Sequence, residues 1–230
     1  MSNNFSVVAC IMAHDDDKYI KLVLDDLSKY TESIFVNLND PTDEVKKIVT
    51  SHPKVVKIIH TSNNGERWNQ GLQRDNTIRM LDQVRPDIIL FPDSDETYPD
   101  NLLEQLEEFW NDEDTVTFWF RLLYMWGDED HFRNDKLWKK IHHVRILKWS
   151  ESITYLPKYA GYACPTNHIN LARKTRFNSN MPTKHWGYMH EEDRSRKYLR
   201  ANCNYCNDDY REKIDKDKLI VDVPDELKGY

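Results

Sequence analysis

Glycine is scarce in this 230-residue chain, with six in all. They assemble into neither a Walker-type loop nor a G-x-G-x-x-G fingerprint, so the two standard Gly-rich cradles for nucleotide phosphates are excluded. Cysteine is rarer still: Cys10, Cys164, Cys203 and Cys206. Only the pair at 203 and 206 has ligand-like spacing. A structural zinc needs four ligands, and no second pair exists, although Cys164 and His168 would complete a set. Buried free thiols in a reducing compartment are the simpler expectation. There is no basic excess either: 32 Lys and Arg stand against 39 Asp and Glu, a net charge of −7. That balance speaks against nonspecific coating of duplex nucleic acid. Long apolar runs are also missing. The apolar stretch Val7–Ala13 lacks a basic leader and runs at once into Asp15, Asp16 and Asp17. It reads as neither signal peptide nor membrane span, and the expectation is a soluble, cytoplasmic protein with no membrane span.

What is present is a core-forming composition, 39% hydrophobic and 12% aromatic, which excludes a disordered chain. Apolar patterning predicts strands at residues 5–13, 33–38, 54–59 and 88–91. Helices are expected at 18–30, with Ile20, Val23, Leu24 and Leu27 on one face, at 43–50, and from the Asn63-Asn64-Gly65 loop to about residue 83. Alternating strands and helices predict an α/β fold with a mixed, mostly parallel sheet flanked by helices. The second half reads differently: a strand at 115–123, an aromatic mixed-charge region, a strand at 143–148 and a helix at 192–201. Three parts are expected: residues 1–125 as a nucleotide-binding half, 126–206 as a specificity half, and 207–230 as a loose polar tail.

The most informative stretch is Asp87-Ile88-Ile89-Leu90-Phe91-Pro92-Asp93-Ser94-Asp95-Glu96. A fully apolar strand ends in three acids. In open α/β sheets ligands sit at the carboxyl ends of such strands. Carboxylates crowded there repel one another unless a cation joins them, and hard cations such as Mg²⁺ and Mn²⁺ favour oxygen ligands shared with phosphates. The plainer reading is a helix start, since acids suit helix N-termini. A helix with Leu102, Leu103, Leu106, Phe109 and Trp110 does follow, but Asp100 is its better cap, which leaves Asp93, Asp95 and Glu96 without a structural duty.

The ordered segments resemble a GT-A glycosyltransferase of the family 2 type. Asp93-Ser94-Asp95 matches the Asp-x-Asp motif. The turn Asn39-Asp40-Pro41-Thr42-Asp43-Glu44 is similar to the Asp-rich turn that touches the nucleoside, with Asn39 and Pro41 departing from the usual residues. Gln73-Arg74-Asp75 resembles a helix start that faces base and phosphates. His185-Trp186-Gly187-Tyr188-Met189, followed by the basic segment from Glu192 to Tyr198, resembles the part in which a histidine returns to the metal. The likeness spans roughly the first 125 residues and then residues 165–200. It implies a nucleotide-diphospho-sugar donor, Mn²⁺ or Mg²⁺ on Asp93, Asp95 and His185, and donor contacts from His14, Asn39, Asp40, Arg74, Asp93, Ser94 and Arg194. It does not identify the acceptor, whether a glycan, a lipid-linked sugar, a protein or a modified nucleobase.

Loss of a diphosphate builds negative charge, which a metal and fixed cations can neutralise. Arg74 or Arg194 can grip a phosphate in a bidentate fork. An inverting enzyme also needs a base for the acceptor hydroxyl. Asp130 is the first candidate, because His131 and Arg133 help keep it ionised, with Asp128 and Glu129 beside it and Glu191 and Glu192 next. The strand at 115–123 is expected beside the acid-bearing strand, its following loop opening on the same edge. Two other readings remain: a nucleotidyltransferase or phosphohydrolase, which normally carries a basic or Gly-rich phosphate loop early in the chain, where Ala13-His14-Asp15-Asp16-Asp17 is acidic instead, and a non-catalytic carbohydrate-binding module, which explains the aromatics but not the acids. Two basic patches, one including Lys136, Lys139, Lys140, His142, His143, Arg145 and Lys148 and another of Arg194, Arg196, Lys197 and Arg200, read first as solvated faces.

Overall fold

A computed structural model describes residues 4–15, 17–62, 70–134, 142–149, 175–202 and 220–223. The expectations for Asn63-Asn64-Gly65, for Lys136, Lys139 and Lys140, for Cys164, His168, Cys203 and Cys206, and for most of the tail lie outside the described residues.

Four strands make the parallel block that the apolar runs predict. They are β1 (Val7–Ala13), β2 (Ser33–Asn39), β3 (Val55–Thr61) and β4 (Ile88–Leu90). They lie in the order β3-β2-β1-β4, all parallel. β1 shows why the run is unbroken. Val7, Ala9 and Ile11 pack into a core with Ile20, Val23, Leu24 and Leu27 of helix α1 (Asp17–Leu27), while Val8 and Cys10 enter a second core on the opposite face. A strand covered on both sides has no use for alternation. Cys10 is a fully buried thiol, its pKa pushed up by burial. Helix α2 (Asp43–Ser51) is capped by Thr42, whose hydroxyl accepts from the Val45 N–H at 3.2 Å. Helix α3 (Gln70–Arg79) crosses the opposite face, and residues 80–84 continue it only as turns, so it ends earlier than expected.

The second half departs from expectation in three places. After the two-residue β5 (Glu96–Thr97), helix α4 (Leu102–Asn111) begins at Asn101 rather than at an Asp100 cap, and Asp100 pairs instead with Lys29 at 3.2 Å. Next, strand β6 (Thr115–Trp126) does not lie beside β4. Strand β8 (His142–Lys148) inserts between them, antiparallel to both. Two reversals restore the direction of β6 to that of β4, so its end still points to the same edge as the acids. Last, Asp128, Glu129 and Asp130 form no loop; they open strand β7 (Asp128–Arg133). Gly127, at φ 91°, makes the turn from β6 into β7, a conformation glycine adopts without a Cβ clash.

β6 organises the remainder. Its first half pairs with β8 and with β9 (Thr175–Asn178); its second half pairs with β10 (Thr183–His185) and β7. Residue 125, where the first half was expected to end, lies inside it. Helix α5 (Glu191–Asn202) follows β10, and β11 (Ile220–Asp222) adds an antiparallel edge to β7. At least those three residues of the expected loose tail are therefore sheet. Among the described residues, no helix is long and apolar enough to cross a membrane.

Candidate active site

The parallel block sets the place. β1, β2 and β4 all end at one edge, delivering His14, Asn39-Asp40 and Asp93 to Glu96 there. Beyond β4, the Phe91 N–H donates to the Arg145 carbonyl at 2.6 Å, the last rung before the chain leaves the sheet. A tight turn follows, with the Glu96 N–H on the Asp93 carbonyl at 3.2 Å and the Asp93 N–H on Glu96 Oε2 at 3.1 Å.

His185 arrives from ninety positions further on. β10 pairs His185 with Glu96 on one side and with Tyr124 on the other. The Trp186 N–H donates to the Asp95 carbonyl at 2.8 Å, and its indole N–H donates to Thr97 Oγ1 at 3.0 Å. These ties seat His185 Nε2 at 3.6 Å from Asp95 Oδ1, both side chains nearly buried. Two ligands of one ion, each bonded at about 2.0–2.2 Å, can stand that far apart. The carboxylate oxygen suits Mn²⁺ or Mg²⁺, and the imidazole nitrogen suits a transition metal better than the harder Mg²⁺, so the pair fits a divalent cation, Mn²⁺ more closely than Mg²⁺. Among the described residues no group of three His, Cys, Asp or Glu forms a cation cage.

Asp93 and Glu96 have different company. Arg74 Nη2 reaches Asp93 Oδ1, and Arg74 Nη1 donates to the Phe91 carbonyl at 3.4 Å. Arg145 sits between the two acids. Its Nη2 lies 2.8 Å from Asp93 Oδ2 and 2.6 Å from Glu96 Oε1, and its Nε bonds Glu96 Oε2. Enclosure alone would raise the Asp93 carboxyl, but Arg145 and then Arg74 override it and hold the group well below the usual carboxylate range. Both guanidiniums are about 1% exposed. Burial, then Arg145, pushes the neighbouring His143 imidazole down to about 3. The sequence reading placed Arg145 on a solvated face. The structure overturns this, because β8 is a central strand. The available signal was an arginine flanked by Val144, Ile146 and Leu147.

At the end of β2, Asp40 takes a left-handed conformation at φ 43°, which Asp tolerates better than most residues. Its N–H donates to the Thr61 carbonyl at 3.1 Å, and Asn39 Nδ2 donates to Thr61 Oγ1 at 3.0 Å. His14 Nδ1 lies 2.5 Å from the Asn39 carbonyl. The turn is thus tied to β3 and to the end of β1. Ser94 is buried between the two motif acids in sequence.

An aromatic wall stands behind His185. The Tyr124 and Tyr188 rings lie 4.9 and 5.3 Å from it, and Trp126 stacks on Tyr188 at 6.5 Å. Arg194, 4.5 Å from the Trp126 ring, also donates through Nη1 to the Tyr188 and Met189 carbonyls at 2.8 and 2.7 Å. It pins the turn that carries Tyr188. Asp193, absent from the sequence-derived candidates, is buried and accepts from Tyr19 at 2.6 Å and Lys18 at 3.1 Å. It borders a cleft of about 450 Å³ lined also by Lys18, Glu44, Glu192 and Arg196. The first-choice bases stand apart from that cleft. Asp128, Glu129 and Asp130 are exposed, and Asp128 is tied to His131 Nδ1 at 2.6 Å.

No curated protein sequence matches the chain. Among solved structures, S. aureus TarS superposes with a TM-score of 0.56 at 14% identity, covering 91% of this chain and 42% of TarS. A TarS fragment of residues 1–349 gives 0.52 at 13%, covering 91% of this chain and 69% of the fragment. Glucosyl-3-phosphoglycerate synthase from Mycobacterium tuberculosis, crystallised with Mn²⁺, UDP and phosphoglyceric acid, gives 0.39 at 17%, over 53% of this chain and 44% of that one. The chain spans less than half the length of the mycobacterial synthase and of full TarS. The TarS likeness is one of fold, that of a GT-A glycosyltransferase with a mostly parallel sheet between helices. The family model described as glycosyl transferase family 2 matches residues 8–202, and the chain belongs to that family.

Proposed function

We propose that this chain transfers a sugar from a nucleotide-diphospho-sugar to a hydroxyl acceptor, with Mn²⁺ or Mg²⁺ held by Asp95 and His185. The observation that carries the reading is the 3.6 Å approach of His185 to Asp95 at the end of a buried parallel strand, within a family 2 chain. The bound cation would neutralise charge on the departing diphosphate. Asp93, fixed by two arginines, shapes the floor beside it, with Ser94 next to it. Arg74 shares its charge between Asp93 and a phosphate. His14, Asn39 and Asp40 present the turn at the nucleoside end, and Arg194 contributes by holding the Tyr188 turn. Asp130, Asp128 or Glu129 takes the acceptor's proton if the reaction inverts, with Glu191 and Glu192 as the next acids. A cytoplasmic location belongs to the same proposal.

Among the described residues no feature favours a nucleotidyltransferase or a phosphohydrolase, and a non-catalytic sugar-binding module would account for the aromatic wall but not for the acids. The test is hydrolysis of a panel of nucleotide-sugars with and without Mn²⁺, which needs no acceptor. Metal-dependent release of a nucleoside diphosphate from one donor is the expected result. Equal inertness of every donor, together with no binding of UDP or GDP in the presence of Mn²⁺, would remove the proposal.

A further inference from the structure

The three acids after β4 are not equivalent. Glu96, fully buried, gives both carboxylate oxygens to Arg145. Asp93 gives Oδ2 to the same guanidinium at 2.8 Å and Oδ1 to Arg74. Asp95 instead lies against His185. Two of the three carboxylates thus meet two permanently charged guanidiniums, and Arg145 alone spans both. A planar fork can serve two carboxylates at fixed angles, which a lysine ammonium cannot do. Burial of Arg145 to about 1% exposure leaves it little room to swing away.

We propose that Arg145 is a positioning residue that withholds Asp93 and Glu96 from the divalent cation, so that the cation is held tightly only when a donor diphosphate supplies the missing oxygens. The inference rests on the reading of Asp95 and His185 as cation ligands. Mg²⁺ and Mn²⁺ prefer about six ligands, mostly oxygen. Two protein ligands leave most of that sphere to water or phosphate. Free oxygens of Asp93 and Glu96, on the same turn as Asp95, would add ligands that need no donor. Arg145 occupies both oxygens of Glu96 and one of Asp93, and the Phe91 N–H bond to the Arg145 carbonyl ties its strand to that turn. Cation and nucleoside diphosphate then bind and leave as linked ligands, each strengthening the other by the same factor.

The experiment is calorimetric titration of Mn²⁺ into the full chain, with and without saturating UDP, for wild type, Arg145→Gln and Arg145→Lys. In wild type, UDP is expected to tighten Mn²⁺ binding about tenfold or more. In Arg145→Gln, Mn²⁺ alone should bind about fivefold tighter or more, and the UDP enhancement should shrink toward unity. Arg145→Lys, which keeps the charge but reaches fewer oxygens, should fall between. If circular dichroism shows that Arg145→Gln does not fold, the double variant Glu96→Gln/Arg145→Gln removes buried charge of both signs and runs the same test with Asp93 Oδ2 as the released oxygen, Oδ1 staying on Arg74. Unchanged Mn²⁺ affinity in a folded variant overturns the proposal. So does loss of Mn²⁺ binding in both conditions, the mark of a purely structural residue. A wild type that binds no Mn²⁺ even with UDP overturns the reading of the site itself, and this inference with it.

Discussion

Replacing Asp95 by Asn separates the chemistry of the acid cluster from its architecture. The Asp95 carbonyl, not its side chain, accepts the Trp186 N–H, so the tie that seats β10 survives the change. The carboxylate loses its charge and keeps its shape. Removing one of three neighbouring negative charges relieves repulsion in a nearly buried site, so the ligand-free protein should melt at the same temperature or slightly higher. The functional cost is different in kind. A bound metal supplies several kcal/mol of charge stabilisation. Taking about 4 kcal/mol, at about 1.4 kcal/mol for each factor of ten, donor turnover should fall about a thousandfold. Binding gives an independent reading. UDP with Mn²⁺ at about a hundredfold above Kd stabilises the folded state by about 2.7 kcal/mol. For a chain of this length that is a rise of about 5–10 °C, and it should be absent from Asp95→Asn. The assays are nucleotide-sugar hydrolysis and thermal unfolding with and without the ligand pair. A variant that keeps the full thermal shift and normal turnover would refute the role of Asp95. A ligand-free melting temperature lower by about 5 °C or more would show that the side chain has a structural duty after all.

Three further outcomes are expected. His185→Ala should weaken binding of UDP with Mn²⁺ at least about tenfold, while His142→Ala, exposed on β8, should leave it unchanged; calorimetry compares them directly. Among Asp128→Asn, Glu129→Gln and Asp130→Asn, one should lower the transfer rate and spare donor affinity, because a base acts only in the transition state; normal turnover in all three moves the base to Glu191 or Glu192, or to a retaining reaction. His131 bridges Asp128 at 2.6 Å and Asp222 of β11 at 3.0 Å, and the hydrogen bond and charge of Asp128, with Asp222, raise its imidazole above 6.5. That tie is complete below pH 6.5 and is lost as pH rises through the raised value, so the melting-temperature gap between wild type and His131→Ala should close on going from about pH 6 to about pH 9; a gap that widens refutes the bridge.

The parallel block was legible because burial on both faces writes itself as an unbroken apolar run. Val7 to Ala13 and Ile88 to Leu90 need no partner to be recognised. The acids after Phe91 were legible for the same reason: they interrupt a pattern. Arg145 was not, because its partners at 93 and 96 lie about fifty residues away and a basic residue among lysines and histidines reads as solvated. The insertion of β8 between β4 and β6 was hidden for a related cause. Strand order follows from pairings distant in sequence, and the run at 115–126 looks the same whichever neighbour it takes. Asp100 illustrates a local competition: an acid beside a helix start was read as its cap, yet a lysine across the fold, Lys29, claims it. Asp128 to Asp130 read as loop because charge is rare in strands, and only the glycine at 127 marked the turn that puts them on β7.

The place of β8 has a consequence for how the molecule comes into being. During synthesis the four parallel strands are complete once residue 90 has emerged, but one side of β4 then lacks its partner. The chain must add α4, all of β6 and the segment up to His142 before β8 can fill that gap. Until then β4 presents an open, apolar edge immediately ahead of the acid turn, the sort of edge that recruits stray strands. A nascent chain stalled, or a gene truncated, anywhere between about residue 91 and residue 148 would carry the parallel block without the strand that covers its edge, and would be aggregation-prone rather than a minimal working unit.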